Sequence, residues 1–247
     1  MTDLALITGA SSGLGEEYAI QLSNKGYDLI ITARREQKLQ DLAKQIESRY
    51  GNSVTVIAAD LATETGRGLL VETIKNTDNL NYLVNNAGFG LPSQFLETPI
   101  EKHVAMVDVH ITAVVELSYA ALDKFISQKQ GTIITVASMA AFIGDGMYSG
   151  TKNFQIKFSK KLAKIGKNHN VRVQALCPGY VRTGFHYTDD YEGHDVNDRI
   201  PSWLWLERED VVRYSLAKAE NSKVVVIPSF KYKLAKFLSN FGIISKP

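Results

Sequence analysis

Thr8-Gly9-Ala10-Ser11-Ser12-Gly13-Leu14-Gly15 is the stretch on which the fold turns. It follows an apolar, β-rich run, Leu4 to Thr8. It opens a segment of helical period, Leu14 to Lys25, and Gly26 sits where a C-terminal glycine cap would. A TGxxxGxG turn between strand and helix has the physics of a phosphate site. Gly9 permits the tight turn, Gly13 lets backbone approach a pyrophosphate, and Gly15 lets the helix pack close to the sheet. The helix N-terminus, from Leu14, offers free N–H groups and the positive end of its dipole, and Ser11 and Ser12 add hydroxyl donors. The same residues could form an ordinary βα turn. The strand before and the amphipathic helix after favour nucleotide binding.

Working outward, short β-rich runs alternate with longer helical segments. Strands are expected at Asp28 to Ala33, Val54 to Ala58, Tyr82 to Val84, Thr132 to Val136, Val171 to Leu176 and Val224 to Ile227. Helices are expected at Glu36 to Tyr50, Glu64 to Lys75, Ile100 to Ser127 and Met147 to Gly166. This alternation predicts an α/β fold: a doubly wound Rossmann layer with a mostly parallel sheet of seven strands and helices on both faces. The absence of repeats and linkers predicts one domain over residues 1–247. Gly184 to Arg208 breaks the rhythm and is expected to be a substrate lid (residues 184–208).

Composition narrows the function. The chain has 247 residues, 45% hydrophobic and 22% charged, with formal net charge +2 and dispersed Lys and Arg. That argues against nucleic acid as a partner. The single cysteine, Cys177, allows neither an internal disulfide nor a cysteine zinc site. The N-terminus enters an apolar run without a basic leader, and no apolar run approaches the ~20 residues of a membrane span, so a cytoplasmic location is expected.

The end of the second strand selects between dinucleotides. A carboxylate there would bind the ribose hydroxyl of NAD, and an arginine would accommodate the extra phosphate of NADP. The sequence reads Thr32-Ala33-Arg34-Arg35, so NADP (as NADPH) is expected and NAD is the weaker candidate. Cations are not favoured at a helix start, which makes an anionic ligand a reason for the pair. Asp60, with Leu61 beside it after the third strand, could accept from an adenine amine or cap the next helix.

Tyr148-Ser149-Gly150-Thr151-Lys152 places a tyrosine and a lysine on one face of a helix. Such a string is common on surfaces, but this one follows the fifth strand, Ser138 and a glycine-containing loop. Here the chain resembles the short-chain dehydrogenase/reductase family, from Leu4 to about Thr183 and more loosely to Pro228. Thr8 to Gly15 matches the family's glycine turn, and Asn85-Asn86-Ala87-Gly88 its NNAG segment. Ser138, Tyr148 and Lys152 match its catalytic residues. Pro178-Gly179-Tyr180-Val181-Arg182-Thr183 matches the segment at the nicotinamide end. The resemblance implies interconversion of a carbonyl and a secondary alcohol by hydride transfer. Tyr148 would be the acid/base, its phenolate favoured by the Lys152 ammonium, and Ser138 would hold the substrate oxygen. Lys152 would also bind the nicotinamide ribose. Cofactor contacts are implied for Asn86, Ala87, Gly88, Pro178, Gly179, Val181 and Thr183. The resemblance further implies a homodimer or homotetramer built on the two long helices.

Two features depart from the family. His110, in Val107-Asp108-Val109-His110-Ile111, stands where an asparagine normally holds a water that links the lysine to solvent. An imidazole has a donor and an acceptor, so His110 is a fourth catalytic candidate, expected to make activity fall as pH drops through roughly 6 to 7. Alternatively it is simply packed there. The interval from Ser138 to Tyr148 is also short, which leaves Ser149 or a backbone group as competitors for Ser138. A dinucleotide-binding regulatory or scaffold protein with this fold is the alternative function.

Other clusters carry less. His186 and His194 with Asp189, Asp190, Glu192 and Asp195 match no metal-ligand spacing, so no metal is expected. His103 and His169 read as surface residues. Ser138 lacks the flanking glycines of a hydrolase elbow. Phe89, Phe95, Phe142, Met147, Tyr180, Phe185, Tyr187, Trp203 and Trp205 could line a pocket for an apolar small-molecule carbonyl or alcohol. The C-terminal stretch (residues 229–247) contains a basic amphipathic segment, Lys231 to Phe241, expected to pack on the protein or a sister subunit rather than on a membrane surface.

Overall fold

A computed structural model of the protein describes residues 2–91, 95–187 and 200–239. Seven strands form one parallel sheet: β1 (Leu4–Thr8), β2 (Asp28–Ala33), β3 (Val54–Ala58), β4 (Leu80–Asn85), β5 (Gly131–Val136), β6 (Val171–Leu176) and β7 (Val225–Val226). Their order is β3-β2-β1-β4-β5-β6-β7. The chain winds outward from β1 in one direction and then returns past it to β4. The two halves therefore diverge at β1 and β4, and the crevice above their carboxyl ends is the ligand site of such sheets.

Both faces of the sheet are covered. Helices α1 (Gly13–Asn24) and α2 (Glu36–Tyr50) bury Tyr18, Leu22, Leu39 and Ile46 against Ile7, Leu29 and Ile31 on one face. On the other, α3 (Glu64–Asn76) buries Leu70 and Ile74 against Leu6 and Leu83. A long helix follows in three parts: α4 (Ile100–Val107), a π-helical turn (Asp108–Thr112) and α5 (Ala113–Gln128). By length and composition this helix could cross a membrane, which the sequence reading did not anticipate. Half of its most apolar stretch is buried, and Leu117 and Phe125 pack in the same cluster as Leu83 and Ile133. Next come the short α6 (Ala140–Ile143) and the long α7 (Gly146–Gly166).

Helix α8 (Arg208–Glu220) was not anticipated. Its buried Val211, Val212 and Leu216 pack on the α1 side of the sheet. Helix α9 (Phe230–Ser239) is the expected basic amphipathic segment, anchored by buried Tyr232. Residues 188–199 of the expected lid, with His194 and its acidic neighbours, lie outside the described residues.

Candidate active site

The glycine turn and the NNAG segment meet at the crevice between β1 and β4. Thr8 Oγ1 accepts from the Asn86 and Ala87 N–H groups at 2.9 and 3.0 Å. Asn86 Nδ2 donates back to the Thr8 and Gly9 carbonyls at 2.9 and 3.2 Å. Two glycines are demanded by this closeness. Gly9 has φ +66°, and a Cβ there would lie 2.8 Å from Ala87 Cα; a Cβ on Gly15 would lie 2.3 Å from the Gly9 carbonyl oxygen. The turn is thereby pressed flat. Ser12, the N-cap of α1, makes no side-chain cap bond, so the helix N-terminus keeps its donors for a ligand. Across the crevice, the Thr183 side chain lies against Gly13.

Arg35 reaches from the end of β2 over this turn. Its Nη2 donates to Ser11 and Ser12 Oγ at 2.8 Å each, and Nε reaches Ser11 Oγ at 3.2 Å. The guanidinium stays exposed and places a cation beside the helix N-terminus. Arg34 is exposed beside it. Asp60 accepts from the Ala62 N–H at 2.9 Å, while Thr63 is the residue that caps α3. Leu61 is buried, and its carbonyl accepts from Arg67. These residues fit a dinucleotide with an extra phosphate: open helix donors, a flattened glycine turn, and a cation at its rim.

Helix α7 presents Tyr148, Thr151, Lys152 and Gln155 on one face. Lys152 is 3% exposed, and its Nζ donates to the Val136 carbonyl at 2.9 Å and to Gln155 Oε1 at 3.2 Å. Burial without a carboxylate partner pulls its ammonium down from 10.5 to about 7, against a smaller opposing effect of Cys177. Lys152 Nζ lies 5.6 Å from the centre of the Tyr148 ring.

His110 sits on the π-helical turn, where the widened backbone brings it beneath the crevice; such turns recur at functional sites. Its Nε2 accepts from the Phe89 N–H at 3.1 Å. The proton must then sit on Nδ1, which donates to Thr151 Oγ1 at 2.9 Å, and Thr151 passes its own hydrogen to the Tyr148 carbonyl at 2.8 Å. Both ring nitrogens are committed. Burial first, and Lys152 second, hold the imidazole well below its ordinary 6.5, so it stays neutral around pH 7. A shift in this direction moves any titration of His110 below the pH 6 to 7 range expected from the sequence. The ring stands edge-on to Tyr148, 5.7 Å between centres. Gly88 is needed above it, since a Cβ there would lie 2.8 Å from His110 Nε2.

Ser138 Oγ accepts from the Ala140 N–H at 3.1 Å, which leaves its own hydrogen to donate. Ser149 is buried and tied to the Ala140 and Gly144 carbonyls at 2.6 and 2.8 Å, so it fastens α6 to α7 across the short loop. The segment after β6 is strapped at several points. The Pro178 carbonyl accepts from the Met139 N–H at 2.8 Å, and the Leu206 carbonyl accepts from the Arg182 N–H while the Leu206 N–H donates to the Tyr180 carbonyl, at 2.9 Å each. Tyr232 from α9 accepts from the Tyr180 N–H at 3.0 Å, and its ring fills the space a Cβ on Gly179 would need.

The sequence missed Gln155, Thr151 and Tyr232, and read Phe89 as a possible pocket wall without its backbone bond to His110. Only Gln155 and Thr151 had a visible signal, since both share the helical face of Tyr148 and Lys152. The reading of His103 as a surface residue was wrong. It is 5% exposed, one turn before the buried Met106, with Nε2 3.0 Å from the Phe95 carbonyl and its ring 4.6 Å from that of Phe95.

Comparison with known proteins agrees with this fold. Over 96% of its length the chain is 34% identical to a very-long-chain 3-oxoacyl-CoA reductase of Phaeosphaeria nodorum, covering 71% of that protein. It is 27% identical to an NADP-dependent 3-hydroxy acid dehydrogenase of Schizosaccharomyces pombe, over 91% of this chain and 92% of the relative. A short-chain dehydrogenase from Sphingobium yanoikuyae, solved in complex with NADPH, superposes with a TM-score of 0.87 at 25% identity, covering 98% of this chain and 94% of that one. Residues 3–191, from the first strand past α7 and β6, match the short chain dehydrogenase family, and the protein belongs to that family.

Proposed function

We propose that the protein interconverts an apolar ketone and its secondary alcohol with NADP(H), Tyr148 carrying the proton. An NAD(P)-dependent oxidoreductase is what its family membership makes it. The observation that carries the finer reading is the buried Lys152, held in the crevice beside Tyr148 with no carboxylate to neutralise it. A nicotinamide dinucleotide bound in the crevice supplies or accepts the hydride. The chain's own residues do the rest. The Tyr148 hydroxyl gives a proton to the carbonyl oxygen during reduction and takes it back during oxidation. Ser138, with its hydrogen free, donates to the same oxygen. Lys152 keeps positive charge near the phenol. His110 and Thr151 hold the start of α7, and so Tyr148, in place.

Gly9, Gly13, Gly15 and the α1 N-terminus would take the pyrophosphate, and Arg35 with Ser11 and Ser12 the extra phosphate. Asp60 would face the adenine, and Asn86 to Gly88 and Pro178 to Thr183 the nicotinamide half. An apolar substrate is supported by Phe185, 6.3 Å from the Tyr148 ring, and by a relative named for very-long-chain 3-oxoacyl-CoA. A homo-oligomer on the long helices is supported by exposed Val104 and Tyr119. The test is NADPH consumption against a panel of bulky ketones and 3-oxoacyl thioesters, with NADH in parallel. Turnover favouring NADPH supports the reading. Tight NADPH binding with no turnover on any member would favour the scaffold alternative.

A further inference from the structure

Gln155 holds Lys152 from below. It lies three residues further along α7 and is 1% exposed. Its Oε1 accepts from Lys152 Nζ at 3.2 Å, and its Nε2 donates to the His110 carbonyl at 2.8 Å. One amide thus spans the gap between the ammonium and the π-helical turn. We propose that Gln155 is a positioning residue for Lys152, a fixed side-chain bridge that does the work of a bridging water and keeps water from that gap. The inference rests on Tyr148 and Lys152 being the acid/base pair.

The chemistry favours an amide at this position. An ammonium has three N–H donors, and a buried one needs acceptors. The Val136 carbonyl and Gln155 Oε1 take two, leaving one for the crevice. A carboxylate in place of the amide would neutralise the charge that Tyr148 needs. An apolar side chain would leave an N–H unpaired. The titratable groups facing Lys152 are Tyr148 on its own helix, His110 from the long helix and Cys177 from the end of β6. His110 is neutral, and burial pushes the Cys177 thiol up to about 12, so neither changes charge near neutrality.

Gln155→Leu and Gln155→Ala separate bridging from packing. Leucine keeps the volume and excludes water. Alanine makes room for a water between two polar partners, Lys152 Nζ and the His110 carbonyl. The readout is the titration of the Lys152 ε-carbon by NMR in cofactor-free, 13C-lysine-labelled protein, assigned with Lys152→Met. Gln155→Leu should change the ammonium's ionisation constant about tenfold, lowering the midpoint. Gln155→Ala should change it less than half as much on the pKa scale. Turnover should run Gln above Ala above Leu, while Tm puts Leu above Ala. A packing role would make turnover follow Tm. An unmoved midpoint in Gln155→Leu, or Ala below Leu in turnover, overturns the proposal. If the leucine variant does not fold, Gln155→Met takes its place. Absence of turnover in the unaltered protein would sink the acid/base reading and leave the midpoints to judge Gln155.

Discussion

Replacing Lys152 by methionine should change how stability depends on pH. The ammonium drops from 10.5 to about 7 on folding because it is buried. Between those values the unfolded chain holds a proton that the folded chain does not, so stability rises with pH across the window. Below about 7 both states are charged and the full burial cost is present. Above 10.5 both are neutral and the cost is gone. The ceiling on this effect is about 5 kcal/mol, at a slope of at most about 1.4 kcal/mol per pH unit. Lys152→Met lacks it. The variant also strips donors from the Val136 carbonyl and Gln155 Oε1, at roughly 1–3 kcal/mol each. Those losses do not vary with pH, so they offset the two curves without changing their relative slope. Urea denaturation of both proteins at pH 6, 7, 8 and 9 reads the difference directly. The unaltered protein should gain on the variant by about 2 kcal/mol between pH 7 and 9. Parallel curves would mean that Lys152 is not held as a strained cation, and the electrostatic support for Tyr148 would fall with it.

Arg35→Ala should weaken NADPH about tenfold or more and leave NADH nearly unchanged, as loss of one charge-assisted phosphate contact requires; Arg34→Ala, whose side chain is not drawn over the turn, should cost less. Equal dissociation constants for NADPH and NADH in the unaltered protein would refute the phosphate assignment. For His110, the pH–rate profiles of the unaltered protein and of His110→Asn should share one shape from pH 6 to 7, because the imidazole is already neutral there and Lys152, at about 7, acts on both alike. A fall in that range that disappears in His110→Asn would reverse this. His110→Ala should lose roughly 1–3 kcal/mol of stability, measured in urea, by orphaning the Phe89 N–H.

The central sheet was legible because its signals are local. β2, β3 and β6 are bounded by turns and charged helices, and their apolar runs end where the structure ends them. Helix α8 was not legible, since Arg208, Glu209, Asp210 and Arg213 mask a narrow stripe of Val211, Val212 and Leu216. The π-helical turn at His110 leaves no mark in the periodicity of Ile100 to Gln128, although it decides where the imidazole and carbonyl of His110 point. The motif residues of the crevice could be named from their order. The grip of Arg35 on Ser11 and Ser12, of Gln155 on Lys152 and of Tyr232 on Tyr180 joins residues through side-chain reach, which spacing does not encode.

The most direct test of the central claim is a single-turnover measurement of NADPH oxidation by Tyr148→Phe on a ketone the unaltered protein reduces. The phenylalanine ring keeps its packing against His110 and Phe185 and lacks only the hydroxyl. The account requires that NADPH binding be retained within a few-fold while hydride transfer falls by about 100-fold or more. Retention of most of the single-turnover rate would contradict it and place the proton donor elsewhere.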